Sequence, residues 1–106
     1  MDLAAVVVLV TVPENFDAAA MARTLVDERL AACVNVLPVM ASTYRWEDRI
    51  EEAAERQIVI KTARGIVNLL QERVHEPHPY DVPEFLVIDV AGGSDGHLSW
   101  LRDAVS

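Results

Sequence analysis

The residues best suited to chemistry in this 106-residue chain are its single cysteine, its three histidines and several carboxylates. A Cys33 thiolate and a His78 imidazole suit copper or zinc, and a defined site for such ions needs three or four ligands at about 2.0–2.3 Å. The chain has no Cys-x-x-Cys, His-x-x-x-His or His-Glu-x-x-His pattern. Cys33 and His78 are therefore isolated candidate ligands; their simpler interpretations are a buried apolar thiol and a hydrogen-bonded loop residue.

Further polar and aromatic side chains share one face of two predicted strands, because side chains alternate between the faces of a strand. We expect this face to line a cleft between subunits, together with the loop around His78. A buried lysine is costly without a partner, so Lys61 is expected beside Glu55 or Glu84. The predicted cleft residues are Asn35, Tyr44, Trp46, Glu55, Lys61, Tyr80, Glu84 and Trp100.

The same residues are weak evidence for an enzyme. A Cys–His hydrolase needs an exposed cysteine beside a histidine and an oxyanion donor, whereas Cys33 lies within a predicted strand. Gly92-Gly93 resembles a turn and not a phosphate-binding loop. One enzymatic alternative remains, a small-molecule enzyme using Glu55, Lys61, His78 and Glu84, but the expectation is a protein without catalytic activity.

The elements that must position these residues follow from hydrophobic periodicity. An apolar, β-branched run from Leu3 to Val12 predicts a strand buried on both faces, and Asn15 is a candidate cap for the helix that follows. Pro38 predicts an irregularity within the second strand, and Glu47-Asp48-Arg49 predicts a hairpin turn. The predicted strands span residues 3–12, 32–46, 50–61 and 84–90, and the predicted helices span residues 17–30 and 63–75, with a short final helix capped by Ser94 or Asp95.

The order β-α-β-β-α-β plus a terminal helix predicts an α+β, ferredoxin-like domain spanning residues 1–106, with an antiparallel sheet carrying its helices on one face. The two central strands are long for so small a domain. Their hairpin should project beyond the core and leave unpaired edges that proteins normally cover.

Composition excludes several classes of partner. Seventeen acidic residues against nine basic ones give a net charge of −8, and Lys61 is the only lysine, so nucleic acid is not an expected partner. The first apolar run ends at Pro13, short of the roughly 20 residues that span a bilayer. A lone Cys33 cannot form an internal disulfide, which makes the cytoplasm the expected location.

Several segments, in order along the chain, together resemble the CutA divalent-cation tolerance family. They are residues 22–36 (Ala-Arg-Thr-Leu-Val-Asp-Glu-Arg-Leu-Ala-Ala-Cys-Val-Asn-Val), Ser42–Trp46, Ile60–Thr62, His78–Glu84 and Leu98–Trp100. The resemblance implies a homotrimer in which the hairpin arms pair between subunits. It also implies a role in tolerance of divalent metals such as copper, and a capacity to bind them.

The chain departs from the family pattern at positions that bear on metal. Some relatives carry a cysteine where this chain has Val10 and a histidine where it has Pro77, and both are candidate copper ligands there. Asp48 replaces a turn glycine, Ala53-Ala54 an Asp-Ser pair, and His97 a tyrosine. The alternative function is a PII-like trimeric signalling module that binds a small anion or nucleotide between subunits, near Lys61.

Overall fold

The computed structural model describes residues 1–106, which form a five-stranded antiparallel sheet with three α-helices and one 3₁₀ turn. None of the helices combines the length and apolar character that crossing a bilayer requires. The order of elements is β-α-β-β-β-α-β-α, because the long second strand is divided in two. The elements are β1 Ala5–Pro13, α1 Ala18–Asp27, β2 Cys33–Val36, β3 Met40–Trp46, β4 Arg49–Ala63, a 3₁₀ turn Arg64–Ile66, α2 Val67–His75, β5 Leu86–Asp89 and α3 Asp95–Ala104.

Strand β4 organises the sheet. Its C-terminal half pairs with β1 along one edge and with β2 along the other, and β1 in turn pairs with β5. Its N-terminal half pairs with β3 alone. The ferredoxin-like arrangement of strands and helices is thereby confirmed.

The core lies on one face of this sheet. The even-numbered valines of β1, from Val6 to Val12, are fully buried, because they point toward the helices while their odd-numbered neighbours point away. Ile58 and Ile60 of β4 extend the same face, and all three helices contribute to it. The main helical contacts come from Ala18, Met21, Leu25, Leu70, Val74, Leu101 and Val105.

The predicted interruption near Pro38 is a β-bulge. Three residues, Leu37 to Val39, lie between the pairs Val36↔Ile58 and Met40↔Glu55, where β4 has only two. The extra residue reverses the alternation of side chains. Before the bulge the odd-numbered residues face away from the helices, and after it the even-numbered ones do.

The first and last residues of several elements differ from the predicted ones. Asp17, and not Asn15, caps α1, since its Oδ1 accepts the Ala20 N–H at 3.0 Å. Ser94 caps α3 as expected. The helix predicted from residue 63 begins as a 3₁₀ turn, and β5 spans Leu86–Asp89, shorter than the predicted 84–90.

The β3–β4 hairpin projects from this body as an arm. Its two-residue turn, Glu47-Asp48, has positive φ at both positions, as a type I′ turn requires. The molecule measures 44 × 26 × 23 Å, and its radius of gyration of 14.4 Å exceeds the value of about 13 Å typical for this length. The elongation reflects the arm, so the predicted projection beyond the core is confirmed.

Helix α1 ends in a Schellman motif whose left-handed residue is Arg29, at φ 60°. Leu30 N–H donates to Leu25 O at 2.9 Å and Arg29 N–H donates to Val26 O at 3.1 Å, the two hydrogen bonds of that motif. Glycine adopts this conformation without the cost that a side chain incurs.

We predict that Arg29→Gly raises the free energy of unfolding by about 0.5 kcal/mol. The variant removes the steric cost of a side chain in the left-handed conformation, and the greater loss of backbone entropy when glycine folds offsets part of this gain. Arg23→Gly, the same exchange inside α1, should lower the free energy of unfolding by about 1 kcal/mol. Urea unfolding at one protein concentration measures both. Destabilisation by both variants to the same extent would contradict the assignment of Arg29 to a strained cap.

Candidate ligand-binding cleft

A cavity of about 710 Å³ lies between the base of the arm and the segment that leads into β5. The bulge at residues 37–39 brings the arm residues into it, because it turns Tyr44 and Trp46 to the same face as Glu55. The cavity is lined by Thr11, Met40, Ser42, Thr43, Tyr44, Trp46, Glu55, Gln57, Pro79, Tyr80, Asp81, Val82 and Glu84.

Glu84 anchors the loop side of the cleft to the sheet. Its Oε2 accepts hydrogen bonds from Thr11 Oγ1 at 2.8 Å and from Gln57 Nε2 at 2.9 Å. Gln57 also donates to Val10 O at 2.8 Å. Thr11 and Gln57 are absent from the predicted set, although two-residue spacing from Glu55 places Gln57 on the same face.

Tyr80 lines the loop side of the cleft and contacts Glu55 of β4. Its hydroxyl donates to Glu55 Oε2 at 2.6 Å. Burial, followed by this hydrogen bond and the charge of Glu55, raises the pKa of Tyr80 well above its usual value. Glu55 is only 6% exposed, and no cation lies within 4.0 Å of it.

His78 supports the loop and does not project a free nitrogen into the cleft. Its Nδ1 accepts the Tyr80 N–H at 3.1 Å, and its Nε2 donates to Thr11 O at 2.8 Å. Its ring stacks on Phe16, with centroids 6.2 Å apart. This matches the simpler interpretation of His78, because both ring nitrogens already have partners.

Cys33 and Lys61 lie at the opposite end of the sheet from His78. Cys33 is paired with Lys61, which is paired with Val7, whereas His78 binds the backbone of Thr11. Four residues of a strand span about 13 Å, and Cys33 is two strands across, about 10 Å. Cys33 and His78 therefore share no site within one protomer.

The expectation that Lys61 lies beside Glu55 or Glu84 is wrong within the protomer. Six residues separate it from Glu55 along β4, about 20 Å, and it forms no ion pair within 4.0 Å. Asn35 and Trp100 also lie outside the cleft, Asn35 beside Cys33 and Trp100 on α3 against His97. The structure brings together Tyr44, Trp46, Glu55, Tyr80 and Glu84.

These residues do not fit a copper or zinc site made by one protomer. No group of three or more His, Cys, Asp or Glu side chains is placed to hold an ion, whereas a defined site needs three or four ligands. Of the two positions where the chain departs from the family pattern, Val10 is buried in the core, and Pro77 lines a groove between α1 and α2.

The fold and cleft define a ferredoxin-like α+β domain with a projecting hairpin arm and a pocket at its base. Comparison with known proteins identifies the group: the profile of the CutA1 divalent ion tolerance protein family matches residues 6–104. The chain belongs to this family, as its sequence resemblance implies.

Two relatives and one solved structure illustrate the similarity. The divalent-cation tolerance protein CutA of Thermus thermophilus is 44% identical over 92% of this chain and 94% of its own length. The chloroplastic protein CutA of Arabidopsis thaliana is 40% identical over 93% of this chain, which spans about half (54%) of that relative. The crystal structure of CutA1 from Oryza sativa superposes with a TM-score of 0.92 at 36% identity, covering 99% of this chain and 96% of that one.

The names of these relatives describe divalent-cation tolerance or simply CutA, and none is the name of an enzyme. None of these matches favours the PII-like alternative.

We predict that Tyr80→Phe lowers the free energy of unfolding at neutral pH by about 1–3 kcal/mol, because the buried Glu55 carboxylate loses its hydrogen-bond donor. The raised pKa of Tyr80 means that its stabilisation is complete below the ordinary tyrosine value of about 10 and is lost as the pH rises above it. The difference in the free energy of unfolding between wild type and Tyr80→Phe should therefore become smaller in alkaline solution.

Tyr44→Phe is the matched control, because Tyr44 is the only other tyrosine. That variant leaves Tyr80 as the sole phenol, and its ultraviolet absorbance should show ionisation at a higher pH than a free tyrosine amide. Denaturant unfolding at several pH values measures the stability. A constant deficit of Tyr80→Phe from neutral to alkaline pH would contradict the assignment.

Proposed function

We propose that this chain is a divalent-cation tolerance protein that works as a homotrimer, with the cleft at the base of each arm lying at a subunit boundary. One observation carries the proposal: residues 49–53 of β4 pair with β3 on one edge and with nothing on the other. Such an edge is a template for another strand. Pairing with the arm of a second copy would satisfy it.

The sheet face turned away from the helices supports the same proposal. Leu86 and Ile88 of β5 are 53% and 48% exposed there, and Leu9 and Val7 of β1 are their cross-strand partners. Together with Val59 of β4, they form a continuous apolar surface on the open face. Contact with other copies would remove this surface from water, which is favourable by about 25 cal/mol per Å².

Divalent metal enters the proposal at the subunit boundaries. Cys33 and His78 remain the candidate ligands for copper or zinc, and each would need groups from a neighbouring copy to reach three ligands. His78 would also have to give up one of its two hydrogen bonds. Weak binding follows from both requirements. The names of the family and of its Thermus relative support the role in tolerance.

The proposal includes no catalytic role and places the protein in the cytoplasm. The lone Cys33 supports this location, since it has no partner for an internal disulfide. Fractionation of the native host with an antibody against the chain tests it. Recovery outside the cytoplasmic fraction would contradict it.

We predict that Ile50→Asp shifts the assembly from trimer toward protomer in sedimentation velocity at micromolar concentration. Ile50 lies on the arm and is 69% exposed in the protomer, so a charge there costs little until the arm is covered. Leu69→Asp, at a residue of α2 that is 58% exposed, is the control and should leave the trimer intact. A wild-type chain that sediments as a lone protomer would remove the proposal.

Calorimetric titration with copper or zinc tests the metal component. Wild type should bind weakly, and Cys33→Ser and His78→Ala should each weaken binding by about tenfold or more, as loss of a supporting group does in metal sites. His97→Ala, at an exposed residue of α3, should bind as wild type does. Undiminished binding by both test variants, or no binding by wild type, would remove these ligands from the proposal.

A further inference from the structure

We infer that the proline-rich segment before β5 caps the edge of β1 and thereby confines strand addition by a second copy of the chain to the arm. This segment, residues 77–85, is called the strap below. The inference rests on the proposed function, because it concerns the strand edges at which copies of the chain would pair. Three observations carry it: the unequal pairing of the two edges of β1, the partners of the backbone groups on its free edge, and the composition of the strap.

The two edges of β1 are paired over different lengths. Strand β4 pairs with all nine residues of β1, from Ala5 to Pro13, whereas β5 pairs only with residues 6–9. Residues 10–13 of β1 therefore have no strand beside them on the side of β5. An unpaired edge of this kind is a template for a strand from another chain.

Alternate residues of an antiparallel strand direct both their N–H and their C=O to the same neighbouring strand. Ala5 O accepts the N–H of Val90, directly after β5, at 3.2 Å, so the odd-numbered residues of β1 face the side of β5. Beyond Leu9, where the pairing with β5 ends, the residues that face this side are Thr11 and Pro13. Their backbone groups decide whether another strand can pair there.

The backbone groups of Thr11 and Pro13 are nearly all occupied or absent. Thr11 O accepts the hydrogen bond from His78 Nε2 at 2.8 Å. Pro13 has no N–H, and its carbonyl oxygen accepts the Phe16 N–H at 3.0 Å. The Thr11 N–H is the one group of this edge that remains without a hydrogen bond. A ladder needs a series of paired donors and acceptors, so the edge no longer serves as a template.

The strap covers this edge without extending the sheet. From residue 79 to residue 85 it forms no backbone hydrogen bond with β1. Side chains hold it in place instead: His78 binds Thr11 O, and Glu84 binds the Thr11 hydroxyl. A covering loop and prolines are two of the means by which native sheets protect an edge. Three of the nine strap residues are prolines, which cannot donate to a ladder: Pro77, Pro79 and Pro83.

The neighbouring edge, on the arm, is left open. It continues the edge of β4 that pairs with β1, and the last contact along it is the hydrogen bond from Glu14 N–H to Ala54 O at 3.3 Å. Even-numbered residues of β4 face this side, so Ile50 and Glu52 present their N–H and C=O groups there. Strand β3 pairs with the opposite edge. Of these two adjacent edges, the chain thus offers one to a second copy and closes the other.

The cap limits how copies of the chain can join. A strand added beside residues 10–13 would take the place of the strap, and contacts of this head-to-tail kind build open filaments when they do not close into a ring. Unprotected edges also lead to aggregation. The strap therefore acts as an autoinhibitory contact, because it leaves the arm available for assembly and withholds the body of the sheet.

Two variants uncover the edge by different routes, and sedimentation velocity of the full chain over a concentration series, in buffer free of metal ions, detects the result. His78→Ala removes the donor to Thr11 O, and Pro13→Val restores an N–H that faces the edge. Each should raise the association constant for species larger than the wild-type assembly about fivefold, the factor that one net hydrogen bond contributes. Association that increases in neither variant would overturn the inference.

His78→Gln is the matched control at the strap, because a glutamine amide can still donate to Thr11 O. Val67→Ala, at a partly buried residue of α2, lowers stability without freeing an edge group. Both should sediment as wild type does, and larger species in either control to the same extent as in the test variants would overturn the inference. Pro13→Val leaves the strap untouched, so it decides the matter if His78→Ala does not fold.

Hydrogen exchange of the Thr11 amide locates the added strand. In larger species of the test variants this amide should exchange more slowly than in wild type, since a strand beside β1 would accept its hydrogen bond. Larger species with an unprotected Thr11 amide pair elsewhere and overturn the inference. A wild-type chain that sediments as a lone protomer removes the proposed trimer and leaves the cap testable: association of the test variants but not of the controls supports the cap, and association of neither overturns it.

Discussion

One extra residue in the second long strand determines which side chains meet in the cleft. Without the bulge at residues 37–39, strict alternation from Asn35 would turn Tyr44 and Trp46 toward the helices, opposite to Glu55. Pro38 cannot donate a hydrogen bond to the ladder, so this is the place in the strand where a bulge costs least. The bulge therefore places Glu55 of β4 on the same face of the sheet as Tyr44 and Trp46 of β3.

The length of β4 then imposes two different environments on one strand. Its fifteen residues are paired on both edges where β1 and β2 flank them, and Ile58 and Ile60 there are fully buried. The arm portion is paired on one edge only and exposes Ile50. Glu55 stands at the junction, where it is still covered by the body of the domain but already faces the cleft. Its burial follows from this position.

The sequence predicts the order of elements, the hairpin and the interruption at Pro38, because periodicity and proline report directly on local backbone geometry. It also groups Tyr44 with Glu55. It does not predict the separation of Lys61 from Glu55, because residues on one face of a strand share a direction but not a position, and six residues extend about 20 Å. Thr11 is missed for a related reason: its place in the cleft depends on the register between β1 and β4, which no local pattern shows. Gln57 shares the face of Glu55 by two-residue spacing, but its hydrogen bond to Glu84 depends on how the loop folds onto the sheet.

The hydrogen bonds of His78 and Glu84 explain why the loop, and not the isolated Cys33, shapes the site. Three polar side chains of a proline-rich segment bind neighbouring points on the sheet: His78 binds the Thr11 backbone, Tyr80 binds Glu55, and Glu84 binds the side chains of Thr11 and Gln57. Each contact fixes the loop against the strands before any ligand enters, so the ordering cost of binding is reduced in advance. Cys33 has only a long contact with Asn35. Preorganised groups therefore concentrate at the base of the arm, where a second copy of the chain would also approach.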